Sequence, residues 1–456
     1  MFSWLPRESE LIDAFFELTE ANAMRSMNKL TFLSGVVFVT ALWCFCEITS
    51  GQTQVEKPSL KAAQKLGAQT ADWNQWRGPK RDGKLTGLKL PNTLDDQQLR
   101  KVWSTPLEPS YSGPLVVGDR VYTTQTIQRK FEAVTAHDRE TGQQLWEKKW
   151  EGAMSVPFFA KANGDWIRAT PAYNEGKLYV AGMRDKLVCL NADNGDIVWE
   201  LDFPKTMKSK IPAFGFVSSP LVDGDAVYTQ AGQAIFKLNK LTGEVIWEAG
   251  KNGGGMNSAF SSPMIATLAG KRQLVVQTRD ELMGLNIEDG AILWRQKIEA
   301  FRGMNIITPT IDGDSIFVSS YGGKTKLFEL VATDPGFDLQ ERWTLPAQGY
   351  MCTPVVVDGH AYTHLRNQRF ACYDLKNGVE KWRTGKFGKY ASLVVVGDKI
   401  LALDQNGSLM LLKINPEAFE LLDKRKVGSD TWAHLALQGN QVFIRGLKEL
   451  SMYQWE

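Results

Sequence analysis

One short phrase recurs along the chain: Gly-x-x-x-Trp closed by Glu or Arg. It reads "TGQQLWE" (Thr141–Glu147), "NGDIVWE" (Asn194–Glu200), "TGEVIWE" (Thr242–Glu248), "DGAILWR" (Asp289–Arg295) and "NGVEKWR" (Asn377–Arg383). A second phrase, small-Pro-x-x-x-[Asp/Gly]-x-apolar-aromatic, runs in step with it. Its clear copies begin at Gly113, Thr170, Ser219, Thr308 and Thr353. Looser copies begin at Ser262, with an insertion, and at Ser392 and His434, where Leu393 and Leu435 stand in for proline. The anchor therefore moves through positions 114, 171, 220, 263, 309, 354, 393 and 435, intervals near the ~40 to 50 residues of a four-stranded propeller blade.

Each copy reads as strand, Gly/Asp turn, strand, then a third strand, the Gly turn and a fourth strand carrying the tryptophan. The expected fold is all-β: an eight-bladed β-propeller with four-stranded antiparallel blades. Asp138, Asn191, Asn239, Asn286 and Asp374 stand four residues before the turn glycine, where their side chains hydrogen-bond their own turn. Glycine supplies the φ > 0 conformation. Trp103, Trp146, Trp199, Trp247, Trp294, Trp343 and Trp382 are read as structural, packing from the outermost strand onto the next blade. The chain ends at "LSMYQWE" (Leu450–Glu456), a third strand without a fourth. "LRKVWSTPL" (Leu99–Leu107) sets Trp103 eleven residues before Pro114, the spacing of Trp382 to Leu393. The ring is thus expected to close through the N-terminal strand near Trp103. Copy seven, "INPEAFELLDK" (Ile414–Lys424), lacks both glycine and tryptophan and needs a different outer turn.

The 456 residues, 43% of them hydrophobic, suffice for several domains, but the repetition argues for one large one. Basic and acidic residues number 53 and 51 and are spread along the chain, which excludes a nucleic-acid stripe. Residues 1–51 read as an N-terminal extension and signal peptide, because Lys29 precedes the uncharged run Leu30–Cys46 and then small and polar residues. A retained signal-anchor over 30–46 is the alternative, and it would be the sole membrane contact. Met24 or Met27 is a candidate start, and bulky residues before Cys44 and Cys46 argue against a lipobox. Residues 52–98 read as linker and Trp-rich leader, and 99–456 as the propeller.

The phrases "AHDRETGQQLW" (Ala136–Trp146) and "LNADNGDIVW" (Leu190–Trp199) resemble the pyrroloquinoline quinone (PQQ) repeat, the tryptophan-docking blade of quinoprotein alcohol dehydrogenases. Exported propellers without a quinone share that repeat, among them the assembly-factor propellers that help insert outer-membrane proteins. "WNQWRGPKRDG" (Trp73–Gly83) looks like the leader of exported PQQ-like propellers of planctomycete-type bacteria; Trp73 and Trp76 are expected to pack on the outside or bottom of the ring.

For a dehydrogenase, the resemblance implies adjacent disulfide-bonded cysteines over the quinone, a Trp platform, and Glu/Asn/Asp ligands to Ca²⁺ beside a catalytic Asp. After the signal this chain has only Cys189, Cys352 and Cys372, scattered and expected as buried thiols. His137, His360, His364 and His434 show no metal-ligand spacing, and the "DGD" runs at Asp223–Asp225 and Asp312–Asp314 fit turns better than calcium loops. No catalytic or metal residue is expected. The expected binding site is the funnel mouth, formed three residues before each anchor by Tyr111, Arg168, Val217, Phe260, Ile306, Met351, Tyr390 and Trp432, with His434 facing the channel. Inter-blade core is the competing role for this set.

The expected protein is an exported, periplasmic or extracellular monomer that acts as a non-catalytic binding or assembly scaffold for an envelope protein or glycan, without a cofactor. The alternatives are a divergent PQQ- and Ca²⁺-dependent alcohol dehydrogenase and an envelope glycan-binding propeller.

Overall fold

A computed structural model describes residues 71–251 and 258–456; the expected signal segment at 30–46 lies outside them. The described residues form eight antiparallel sheets of four strands in radial order, with three short helical turns at Phe158–Asn163, Phe203–Met207 and Phe301–Gly303. Blade one runs through Leu115–Val117, Arg120–Ile127, Phe131–Asp138 and Gln144–Glu151, and the others repeat this meander. Blade eight takes its inner three strands from Ala436–Gln438, Gln441–Arg445 and Glu449–Trp455, and its outer strand from Leu99–Pro106. Trp103 thereby seals the ring as its position implied, leaving no open sheet edge at the junction. Among the described residues, no helix is long and apolar enough to cross a membrane.

The core lies between neighbouring sheets. Leu115 and Val134 of blade one, for example, pack with Val180, Val188 and Leu190 of blade two. Six of the seven outer tryptophans then rivet one blade to the next, each indole N–H donating to a carbonyl of the neighbouring hairpin: Trp103 to Arg139, Trp146 to Ala192, Trp199 to Lys240, Trp247 to Ile287, Trp343 to Leu375 and Trp382 to Asn415. The hairpin glycines Gly142, Gly195, Gly243, Gly290 and Gly378 all have φ between 71° and 77°. A Cβ on any of them would meet the preceding blade's tryptophan ring at 2.6–2.8 Å. Glycine is therefore required twice over, by the turn and by the ring lying on it. The Asx residues before it behave as read; the Asp138 carboxylate, for example, accepts from the Thr141 amide at 2.8 Å.

Trp294 departs from the pattern, donating to Gln273 Oε1 of its own blade at 2.6 Å. Blade five, which it faces, joins its outer strands through Thr333–Gly336 and has no Gly-Trp hairpin to offer. In blade seven the tryptophan's place in the register falls to Asp423, paired with Leu411 beside the bulge. Blade eight explains this exception: its third and fourth strands are the two ends of the propeller and share no hairpin, so a tryptophan there would have no turn to dock on. Asp423 instead accepts from the Leu94 amide at 2.6 Å, and the segment before the closing strand fills the gap.

Of the two places expected for Trp73 and Trp76, the leader takes the bottom of the ring and not the outside. Asp72 accepts from the Gly118 amide of blade one's first turn at 3.0 Å, and the segment reaches from there into the central channel, where Trp76 meets His434. Trp73 is 1% exposed and bridges to Val116 of blade one. Arg77 donates to the Pro354 carbonyl of blade six at 2.8 Å, and Arg81 to the Pro220 carbonyl of blade three at 2.8 Å. Lys84–Leu85 adds a fifth, parallel strand to blade seven. The inner strands of a propeller are sheet edges with unpaired carbonyls, and two five-donor guanidinium groups satisfy several of them at once.

Candidate functional site at the channel mouth

The small residue before each proline has a role that sequence reasoning missed. Thr170 Oγ1 accepts from the Gly113 amide at 3.1 Å, Ser219 Oγ from Thr170 at 3.0 Å, Ser262 from Ser219 at 3.0 Å, Thr308 from Ser262 at 3.0 Å and Thr353 from Thr308 at 3.3 Å. This run of hydroxyl clasps ties blades one to six together around the channel. The signal was present in the Gly/Ser/Thr restriction of that slot.

Two residues before the clasp, three before each anchor, the chain enters the mouth, and the register gathers the expected residues there. Tyr111, Arg168, Phe260, Met351, Trp432 and His434 all line one cavity of about 180 Å³, together with Val217 and Ile306. Tyr390 stands behind it, its ring 4.1 Å from that of Trp432. Tyr111 stacks on Trp432 at 4.6 Å with 13° between the planes. Burial pushes the Tyr111 hydroxyl up to about 12 and raises Tyr390 as well, so both are neutral donors. Arg168 donates to the carbonyls of Gly164 and Trp166; burial lowers its pKa to about 10, which leaves it cationic at neutral pH. His434 faces the cavity and meets Trp76 edge-on at 5.6 Å. Burial, with Arg77 nearby, pushes its pKa down to about 3, so its imidazole is neutral.

The connections between blades, with Tyr321 from the second-to-third turn of blade five, add aromatics that no repeat predicted. Tyr390 leads to Tyr350 at 5.5 Å, Tyr350 to Tyr321 at 4.7 Å, and Tyr321 to Phe301 at 5.9 Å. On the far side Phe260, Phe214, Phe159 and Phe158 follow one another at 5.5, 6.2 and 5.6 Å, ending at Phe158, which is 81% exposed. These segments differ in length and composition from blade to blade, so no period marks them.

The site does not fit a quinone with calcium. The cavity lining contains no Asp or Glu to ligate the cation or act as base. Cys189, Cys352 and Cys372 are buried free thiols, and among the described residues no cluster of His, Cys, Asp and Glu could hold a metal ion. The "DGD" carboxylates serve the turns and their neighbours: Asp223 pairs with Arg272 at 2.6 Å, and Asp314 accepts from the Ala269 amide at 2.6 Å.

Residues 130–384, more than half the chain, match the family described as outer membrane protein assembly factor BamB. The chain belongs to this BamB family. A BamB of Moranella endobia is 22% identical over 392 residues, covering 80% of this chain and 92% of that one. The Escherichia coli K12 BamB is 26% identical over 264 residues, covering 54% and 63%. Among solved structures, BamB from Moraxella catarrhalis superposes with a TM-score of 0.57 at 14% identity, covering 78% of this chain and 98% of that one. The quinohemoprotein alcohol dehydrogenase of Comamonas testosteroni gives 0.59 at 11% identity, covering 85% and 81%. The propeller is thus common to the BamB family and to quinoprotein enzymes, and the structural likeness shows the fold alone.

Proposed function

We propose that the protein is an exported, non-catalytic scaffold in outer-membrane protein assembly, and that it takes a protein partner at the aromatic mouth of its channel. The mouth cavity carries the reading: it is concave and aromatic, with Arg168 as its one cation and no carboxylate, the make-up of a binding pocket. General acid–base work needs a group poised near neutral pH. The groups here are held far from it, His434 near 3 and Tyr111 near 12. Family membership supports assembly as the setting. An exported location, with residues 30–46 as signal or anchor, belongs to the same reading.

The test is complementation. Deleting the gene is expected to lower the level of folded outer-membrane β-barrels, read by heat-modifiable migration. Wild type restores it, and Tyr111→Ala does so less well. Unchanged barrel levels on deletion, or saturable PQQ binding with Ca²⁺ and dye-linked alcohol oxidation, would overturn the proposal. The stacked Tyr111–Trp432 pair also suits a sugar ring, so a glycan array tests a second reading in which the ligand is an envelope polysaccharide.

A further inference from the structure

The balanced charge of the whole chain conceals a separation between the two sides of the ring. In an antiparallel meander, the first-to-second and third-to-fourth turns share one side. The second-to-third turns and the blade-to-blade connections share the other. On the side away from the mouth, the first turns carry Asp119, Glu175, Asp225, Asp314, Asp358 and Asp398, all exposed. The outer hairpins there add Glu140, Asp193, Asp196, Glu244, Glu288 and Asp289.

The mouth side is basic. Its second-to-third turns carry Arg129, Lys130, Arg184, Arg279, Arg366 and Lys448, and its connections carry Lys161, Arg168, Lys205, Lys208, Arg302 and Lys389. Lys130 of these turns pairs with Glu151 at 2.8 Å and Lys251 of the connections with Glu248 at 3.2 Å. Three others lie on the aromatic rim, Arg279 over Phe260 at 5.8 Å, Arg302 over Phe301 at 5.1 Å and Arg366 over Tyr321 at 4.5 Å. Arg279 also donates to the Ser258 and Arg302 carbonyls and Arg366 to Gln348 Oε1, so these cations are fixed in place on the aromatic rim, none of them neutralised there by a carboxylate among the described residues.

From this juxtaposition we infer that the mouth binds an acidic, extended polypeptide segment that buries one aromatic side chain in the cavity. The inference rests on the scaffold reading above and adds the chemistry of its partner. The cavity of about 180 Å³ exceeds the ~150 Å³ that suffices for a benzene ring. The run Phe158–Phe159–Phe214–Phe260 gives an apolar track from the rim toward it. The surrounding arginines and lysines attract carboxylates, and the acidic back of the ring repels them. The field therefore orients an acidic partner toward the mouth and speeds its encounter. A concave receptor of this kind suits a side chain on a strand better than a lipid surface, which calls for a convex apolar face.

The test uses the intact protein and fluorescein-labelled peptides of alternating Glu and Ser with one Phe, compared with Lys-for-Glu and Ala-for-Phe versions. The acidic Phe peptide is expected to bind at least about tenfold tighter than either control, with affinity falling steeply as salt approaches about 1 M. Lys161→Glu/Lys205→Glu/Lys208→Glu, all on exposed connections, is expected to weaken binding about tenfold. Asp119→Lys/Glu244→Lys/Glu288→Lys on the back is expected to leave it unchanged or tighter. Equal binding of acidic and basic peptides, or no effect of the mouth reversal, overturns the acidic partner while leaving a scaffold in place. No peptide binding combined with cosedimentation on anionic phosphatidylglycerol vesicles overturns the polypeptide in favour of a membrane surface. Barrel levels in the complementation assay fail or hold independently of both outcomes.

Discussion

The indole of Trp103 lies on Gly142 so closely that a Cβ there would stand 2.6 Å from the ring. One residue comes from the closing strand of blade eight and the other from the outer hairpin of blade one, so this contact is the seam of the ring. Gly142 also has a φ of 71°. Gly142→Ala should therefore cost more than backbone strain alone, on the order of 2–4 kcal/mol. Gly176→Ala is the control: its φ is 76° with nothing within reach of a new Cβ, so about 1 kcal/mol is expected. Urea unfolding of the two variants separates the terms, and equal losses would mean that the ring yields without cost.

The hydroxyl clasps can be tested in the same way. Thr308→Val keeps the shape but leaves the buried Ser262 amide without its acceptor, an expected cost of about 1–3 kcal/mol. Ser392 occupies the same slot in blade seven, and its hydroxyl has no partner. Ser392→Ala should change stability by less than about 0.5 kcal/mol. A similar loss in both would show that the slot is constrained by volume rather than by the clasp.

Two buried carboxyls predict a pH dependence. Burial pushes Glu132 and Asp185 up to about 7, against the amide donations of Met183 and Gly232 that favour their charged forms. A raised carboxyl pKa means that the folded state binds the proton more tightly than the unfolded chain. Their stabilising contribution is complete below pH 4 and is lost as pH rises toward 7, at up to about 1.4 kcal/mol per unit for each group. His434 and His364, held near 3 and 4 by burial, act oppositely: their contribution is present above about 6.5 and lost as pH falls. Glu132→Gln removes one carboxyl without touching the histidines. Its stability relative to wild type should rise between pH 4.5 and 7.5 in urea titrations, and parallel curves would refute the assignment.

The thiols offer a simpler check. Cys189, Cys352 and Cys372 are buried and unpaired, and burial raises them to about 12, 11 and 12. Iodoacetamide should label none of the three in the native protein at pH 8 and all of them in urea, read by peptide mass mapping.

The repeat made the propeller legible because each blade solves the same packing problem, and Trp103 was legible because it keeps the register of Trp343 and Trp382. The mouth residues followed from that register: Tyr111, Arg168 and Trp432 meet because inner strands converge, whatever their side chains. Trp76 and Arg81 were not legible in this way. They occur once, and their place in the channel follows from unpaired carbonyls that exist only after eight strand edges have been brought together. The aromatic track through Phe158 and Phe214 was hidden for a related reason, since connections of unequal length carry no period. The small residue of the second phrase was visible, but its acceptor role was not, because that role needs a neighbouring blade.

Asp423 tests whether an exception in a repeat is decay or design. If blade seven had merely lost its tryptophan, Asp423→Trp would restore a rivet burying ~150–250 Å² and stabilise the ring. The structure argues otherwise, because blade eight has no outer hairpin to receive the ring and Asp423 holds the Leu94 amide. Asp423→Ala should then cost about 1–2 kcal/mol by leaving that amide without its acceptor. Asp423→Trp should cost more, since it adds an indole with no seat and displaces the segment from Leu94 to Leu99, where Arg425 donates to both carbonyls. Thermal unfolding with limited proteolysis ahead of Leu99 reads both effects. A tryptophan variant more stable than wild type, with the leader still protected, would show that the junction of blades seven and eight can accept a further rivet.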